Sequence, residues 1–139
     1  FGLTHAHGPA DIGYAVMEGV SFGLLDGWNV LDEGDRRASR SLDVVGGGSR
    51  SASWASLLAT LLDRPLVRRE GAEAGAALGA ARLGWLAAGG DLETVCAKGA
   101  AIQTLEPDAS ARAPLMARYA RFAALYPVLR NSFPGRGAS

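Results

Sequence analysis

Gly46-Gly47-Gly48-Ser49 follows the short apolar run Leu42-Asp43-Val44-Val45 and precedes a segment, about Ala52 to Leu62, with the apolar spacing of a helix. Glycines that a strand delivers to a helix start leave the main chain bare, so a bulky phosphorylated ligand can approach N–H groups that lack a helical partner. The chemistry implied is nucleotide binding. An ordinary tight turn uses the same glycines, so other parts of the chain must decide between the two. Lys98 is the only lysine and lies far from the glycines, so the P-loop pattern, which needs a Lys directly after them, is absent. Phosphate contacts would then fall mostly to the backbone.

The composition narrows the function classes. At 139 residues the chain is the size of one domain. Its 14 basic side chains balance 14 acidic ones, which leaves no basic field for a nucleic-acid backbone. Cys96 stands alone and permits no internal disulfide, and the first residues show no charged, apolar, small-residue leader. A reducing cytoplasm is the expected setting. Ile12 to Leu31 is apolar, but Glu18, Asp26 and several glycines interrupt it, so no membrane span is expected.

The elements that must position the glycines read as follows. Pro9 and Asp11 open a long helix whose apolar residues Ile12, Val16, Val20, Leu24, Trp28 and Leu31 recur every three or four positions. Glu33 to Arg37 reads as a polar loop, Leu42 to Val45 as a buried strand, and Trp54, Leu57, Leu58, Leu61 and Leu62 as a second helix. Pro65 to Arg68 reads as a strand near a sheet edge, because of its proline. From Ala72 to Ala88 small residues dominate, and glycines inside a helix call for close approach to a sheet or a ligand. Gly89-Gly90 ends that helix and Asp91 caps a short one. Ile102 to Pro114 reads as an irregular surface connection. The last helix carries Leu115, Tyr119, Phe122 and Tyr126, with Leu129 and Phe133 continuing the stripe, and Gly135 to Ser139 is expected to be a mobile tail.

Gly2-Leu3, seven further residues, and then Asp11-Ile12-Gly13-Tyr14-Ala15-Val16-Met17-Glu18 closely resemble the C-terminal signature of the FGGY carbohydrate kinases. His7-Gly8-Pro9, Glu18-Gly19-Val20, the run Gly46 to Ser51 with Trp54, and Ala76 to Leu83 resemble most the xylulokinase branch of that family. The resemblance implies an α/β fold, part of an actin-like, ribonuclease-H-like ATPase domain with a small sheet flanked by helices. It implies that residues 1–134 are the C-terminal portion of the second kinase domain, the nucleotide-binding half. The chain starts inside the signature, so a fragment of a two-domain enzyme is expected. The phosphate-binding Asp-x-Gly-Thr segment and the catalytic aspartate of the family have no counterpart here, so no catalytic residue is assigned. ATP and Mg²⁺ are the implied cofactors, with Mg²⁺ and the sugar held mainly by the part outside this chain. Self-association into a homodimer is a further expectation, through apolar edges that the rest of the domain would cover.

By the same resemblance Gly46, Gly47, Gly48, Ser49, Ala52, Ser53 and Gly75 are the nucleotide-site candidates. Ser49, Ser51 and Ser53 can each cap the following helix instead. Glycerol kinases of the family place an Asn near Ala52 or Ser53, and this chain departs from them there. Arg50 is read as solvated or as a phosphate contact, Trp54 as core, Glu18 as structural, and His5 and His7 as surface residues too isolated for a metal site. Tyr119, Phe122 and Tyr126 are read as core or as a seam against the other domain. Two alternatives remain at this stage: Gly46-x-Gly48-x-x-Ser51, with Arg68 and Arg69 about 20 residues on, approximates a dinucleotide fingerprint with an NADP 2′-phosphate partner, and a purely structural or partner-binding helical domain would leave the glycine cluster unexplained.

Overall fold

The computed structural model describes residues 2–130, so the readings placed on Phe133 and on Gly135 to Ser139 lie outside the described residues. The elements run α1 (Pro9–Val30), α2 (Glu33–Ala38), β1 (Leu42–Asp43), a 3-10 turn (Gly47–Arg50), α3 (Ala52–Leu62), β2 (Leu66–Arg69), a 3-10 turn (Ala72–Ala74), α4 (Gly75–Ala87), α5 (Leu92–Val95), β3 (Ala101–Leu105) and α6 (Ala109–Leu129). The sheet has the order β1-β2-β3, with β1 parallel and β3 antiparallel to β2. The fold is α/β, a small sheet flanked by helices.

Helix α3 is the central element. Residues Ala55 and Leu57 to Leu61 are all buried, as befits a helix packed on more than one side. One face joins Phe22, Leu25 and Leu115 around Leu57 and Leu61, with Trp28, Trp54 and Tyr119 at the margin. The other face sets Ala55, Leu58 and Ala59 against Leu66 of the sheet, with Leu42 and Leu105 beside them. Phe22 holds α6 through tilted contacts with Tyr119 and Phe122, the ring centroids 5.6 and 5.3 Å away. Glu18 is structural as expected, its carboxylate accepting from Arg118 Nε at 2.8 Å to tie α1 to α6.

Six expectations need correction. Leu42 to Val45 is not a fully buried strand, since only Leu42 and Asp43 form β1, and Asp43 and Val45 are exposed. The α1 stripe Ile12, Val16, Val20, Leu24 and Leu31 faces outward, each residue about half or more exposed, while Ser21, Phe22 and Leu25 are buried. Apolar residues occupy two faces of α1, so a period alone does not choose the inner one. Glu33 to Arg37 forms α2 rather than a loop, helped by an i,i+4 pair in which Arg37 Nη2 donates to Glu33 Oε1 at 2.5 Å. Strand β2 is central, not at an edge. Pro65 stands just before its first paired residue, where the missing N–H costs no ladder bond and the carbonyl still accepts from Leu42 N at 3.0 Å.

The stretch from Ile102 to Pro114 is ordered as β3 and the start of α6. Asp108 caps α6, its carboxylate accepting from Ser110 N and Ala111 N, so the helix begins before Pro114 and carries that proline inside. Lastly, α4 buries none of its residues, and a Cβ at Gly79 or Gly84 would meet open space. The close packing that its glycines suggested exists within the described residues only at Gly75.

Candidate nucleotide site

Strand β1 pairs with β2 through Leu42 and Asp43, and one further bond, Val44 N to Val67 O at 3.0 Å, carries the chain to Gly46. Gly46 has φ +85° and ψ −177°, a conformation that a side chain disfavours. Its N–H donates to Ala72 O at 2.7 Å, which ties the turn after β1 to the turn after β2. Gly75 completes that joint. It has φ +49°, and a Cβ there would stand 3.1 Å from Gly46 Cα and 3.3 Å from Gly46 N. The two turns therefore touch backbone to backbone.

The remaining candidates surround the same turn. Gly47 is exposed with open space where a side chain would go, so it bares its backbone outward. Gly48 plays a different part, since a Cβ on it would lie 2.0 Å from Trp54 Cζ3. It makes room for the indole, whose Nε1 donates to Ser21 Oγ at 2.9 Å, and Trp54 is thereby a core residue. Ser49 is buried, with its N–H on Gly46 O at 3.0 Å. Of the three serines that could cap α3, Ser51 does so, its Oγ accepting from Trp54 N at 3.2 Å. Ala52 is half-buried and Ser53 exposed.

The hydrogen bonds leave a pattern with chemical meaning. Among the described residues, no backbone bond outside helices and strands has Gly47, Gly48, Ala52 or Ser53 as donor, and all four occupy the first positions of a helical turn. Such N–H groups have no intrahelical partner, and those of Ala52 and Ser53 sit at the positive end of α3. An anion placed over this turn would meet several donors without displacing a protein bond. Two cavities flank the end of β1, one of about 220 Å³ against Asp43, Val45 and Lys98, the other of about 420 Å³ against Val44, Val45 and Trp54.

Beside the turn lies a small ion network that the sequence reading did not assemble. Asp43 accepts from Arg69 Nε at 2.8 Å and from Lys98 Nζ at 2.9 Å. Partial burial pushes the Asp43 carboxyl up, but the hydrogen bonds and charges of Lys98 and Arg69 outweigh it and hold the group below the usual aspartate range. Asp43 and Arg69 belong to neighbouring strands, yet Lys98 is far away in sequence. Only the strand pairing could have revealed the triad. Arg50 is exposed at the end of the 3-10 turn. His7 turns onto Thr4, and no group of three or more metal-ligating side chains occurs among the described residues.

With this geometry in view, the comparisons define a class. Residues 1–88 match the C-terminal domain of the FGGY family of carbohydrate kinases, and the chain belongs to that family. The likeness then becomes more particular. The xylulose kinase of Escherichia coli (strain K12) is 44% identical over 88 residues, covering 63% of this chain and 18% of that protein. A glycerol kinase of Nitrobacter hamburgensis is 39% identical over 96 residues, covering 64% of this chain and 18% of its own. A crystal structure described as a xyloylose kinase from Brucella ovis superposes with a TM-score of 0.74 at 36% identity, over 95% of this chain and 28% of that one. The chain thus spans about a fifth of the curated relatives' length, within an actin-like ATPase fold.

The dinucleotide alternative finds no support. The third strand is antiparallel, Arg69 is engaged by Asp43, and Arg68 Nη1 donates to Gln103 Oε1 at 2.6 Å. No helix of the described residues is long and apolar enough to cross a membrane.

Proposed function

We propose that this chain is the adenosine-holding portion of an ATP-dependent sugar kinase that converts xylulose to xylulose 5-phosphate. The observation that carries the reading is the turn Gly47–Gly48 and Ala52–Ser53, exposed at Gly47 and Ser53, whose N–H groups lack acceptors among the described residues and which the Gly46–Gly75 contact pins in place. Gly46, Gly47, Gly48, Ser49, Ala52, Ser53 and Gly75 would border the nucleotide, mostly by backbone. Xylulose is favoured over glycerol by the higher identity to a xylulose kinase, 44% against 39%.

Phosphoryl transfer depends on positioning and charge neutralisation, which lets the work divide between domains. This portion would orient ATP. Mg²⁺, the sugar and the proton acceptor belong to the rest of such a kinase, in the cytoplasm where ATP is made available. The outward α1 stripe Ile12, Val16, Val20 and Leu24 suits a seam with that remainder, and in its absence a homodimer through the same face.

Calorimetric titration with ADP tests the reading. The wild-type chain is expected to bind ADP in preference to NADPH, and Gly47→Val to lower ADP affinity at least tenfold while urea unfolding stays unchanged. Unchanged ADP affinity in a folded Gly47→Val chain overturns it. The chain alone is expected to phosphorylate no xylulose.

A further inference from the structure

A second feature lies at the opposite end of α3 from the glycine turn. The eleven residues of α3 put about 16 Å between the two ends. There the ends of α1 and α3 meet α2 and α6 around a cleft of about 280 Å³, whose walls include Arg36, Arg37, Arg64 and Arg112. Against four guanidinium groups the walls hold two carboxylates, Glu33 and Asp63, so two positive charges are in excess. A surface cluster of arginines usually dissolves into separate ion pairs or solvent, and this one does so at Arg37, which Glu33 occupies at 2.5 Å, and at longer range at Arg112, whose Nε faces Asp63.

Arg36 and Arg64 are held in place by neutral groups. Arg64 donates from Nε to Ser39 O at 2.9 Å, from Nη1 to Asp63 O at 2.6 Å and from Nη2 to Arg36 O at 3.1 Å. Three of its five donors are used and its charge is not cancelled. Arg36 donates from Nη1 to Asn29 Oδ1 at 3.3 Å, and Asn29 in turn donates to Tyr119 O–H at 3.4 Å. Arg112 stands 3.8 Å from Asp63 Oδ1, too far for a hydrogen bond. Most telling, Arg36 Nε and Arg112 Nε are both buried with no acceptor. Buried donors of charged groups are nearly always satisfied in folded proteins, so two in the walls of one cleft point to an absent acceptor.

We propose that this cleft binds a phosphate dianion, free or as the head of a phosphorylated metabolite, with Arg36, Arg64 and Arg112 as its ligands. Planar guanidinium donors match phosphate oxygens in pairs, and a charge near −2 offsets the excess of the walls. The volume suits a phosphate group with a few waters rather than an adenine nucleotide. The site is independent of the glycine turn, and it would let phosphate report on the kinase from the far end of its central helix.

Arginine-selective NMR of the 139-residue chain reads the site directly. Inorganic phosphate and glycerol 3-phosphate, added at constant ionic strength, are expected to move the Nε–Hε signals of Arg36 and Arg112 saturably, while glycerol and chloride leave them in place. Tenfold tighter binding of the ester assigns the occupant to a phosphorylated metabolite, and equal binding to free phosphate. Arg112→Gln is expected to weaken phosphate at least tenfold, and Arg112→Lys by an intermediate factor because the charge remains without the buried Nε. Unmoved arginine signals at saturating phosphate overturn the proposal, as does unchanged affinity in folded Arg112→Gln. If that variant does not fold, the wild-type arginine signals decide alone. Shifts confined to the amides of Gly47 and Gly48 would place phosphate at the glycine turn, which overturns this site and leaves the nucleotide reading standing.

Discussion

Gly75 meets Gly46 so closely that a Cβ on the first would stand 3.1 Å from the Cα of the second. Two turns that lie 29 residues apart are thereby locked without any side chain, and the positive φ of both glycines is part of the joint. Gly75→Ala must strain φ +49° and push on main chain that cannot swing aside. A loss of about 1–3 kcal/mol is expected from the backbone conformation alone, together with weaker ADP binding. Gly79→Ala is the control, since its added methyl meets open space in the interior of α4. It is expected to stabilise by about 0.4–1 kcal/mol. Urea unfolding of both variants checks the contrast; equal effects would mean that the Gly46 contact constrains nothing.

Gly47 and Gly48 are neighbours in sequence with opposite duties. A methyl on Gly48 would run into the six-membered ring of Trp54, 2.0 Å from Cζ3, and the indole is held by its bond to Ser21. Gly48→Ala is expected to cost about 1–3 kcal/mol through forced repacking. Gly47→Ala is expected to stay within about 0.5 kcal/mol of wild type, as surface changes do. Thermal unfolding of the pair, followed by near-ultraviolet Trp signals, separates the two roles, and a stable Gly48→Ala with an unmoved Trp54 signal would contradict the packing described.

Ser21 lies fully buried on α1, donates to Met17 O at 2.7 Å and accepts from Trp54 Nε1 at 2.9 Å. Ser21→Ala leaves the indole N–H buried without an acceptor, which is expected to cost about 1–3 kcal/mol. Trp54→Phe removes the donor but also opens a space. In the double variant the missing acceptor no longer matters, so its loss is expected to fall short of the sum of the single losses. Additive losses from a double-mutant cycle in urea would show that the hydrogen bond adds nothing.

How far these features were legible in the sequence depends on what each one needed. The glycine turn and the Ser51 cap are local, a few residues reading their own neighbours, and α3 could be traced from its leucines. Resemblance supplied Gly75 as a nucleotide-site candidate, whereas its contact with Gly46 needs the two crossings of the sheet. The inner face of α1 was misread because Val16 and Val20 are as apolar as Phe22 and Leu25, and Ser21, a polar residue, turned out to be core. Strand β3 escaped notice because Ile102 and Leu105 do not alternate, and its place is fixed by pairing with β2. Long-range charge partners such as Asp43 and Lys98 carry no sequence signal at all.

That last pair sets a pH dependence. Asp43 accepts from Arg69 and Lys98 in the folded chain, and although partial burial works against it, these partners hold its carboxyl below the ordinary value near 3.8. A group whose folded pKa is depressed contributes stability above its unfolded pKa and loses it as pH falls through the folded one. The contribution of Asp43 is therefore complete at neutral pH, begins to fade as pH drops toward about 3.8, and is gone below its lowered folded value. Asp43→Asn is expected to destabilise the chain at pH 7 by about 1 kcal/mol, in the range of partly exposed ion pairs, and to flatten the acid limb of its stability curve. Lys98→Ala should flatten that limb by less, because Lys98 is largely exposed and Arg69 remains. Urea midpoints measured from pH 7 down to pH 2.5 test this directly. An acid limb equally steep in Asp43→Asn and wild type would show that the strand-end triad makes no net contribution to folding.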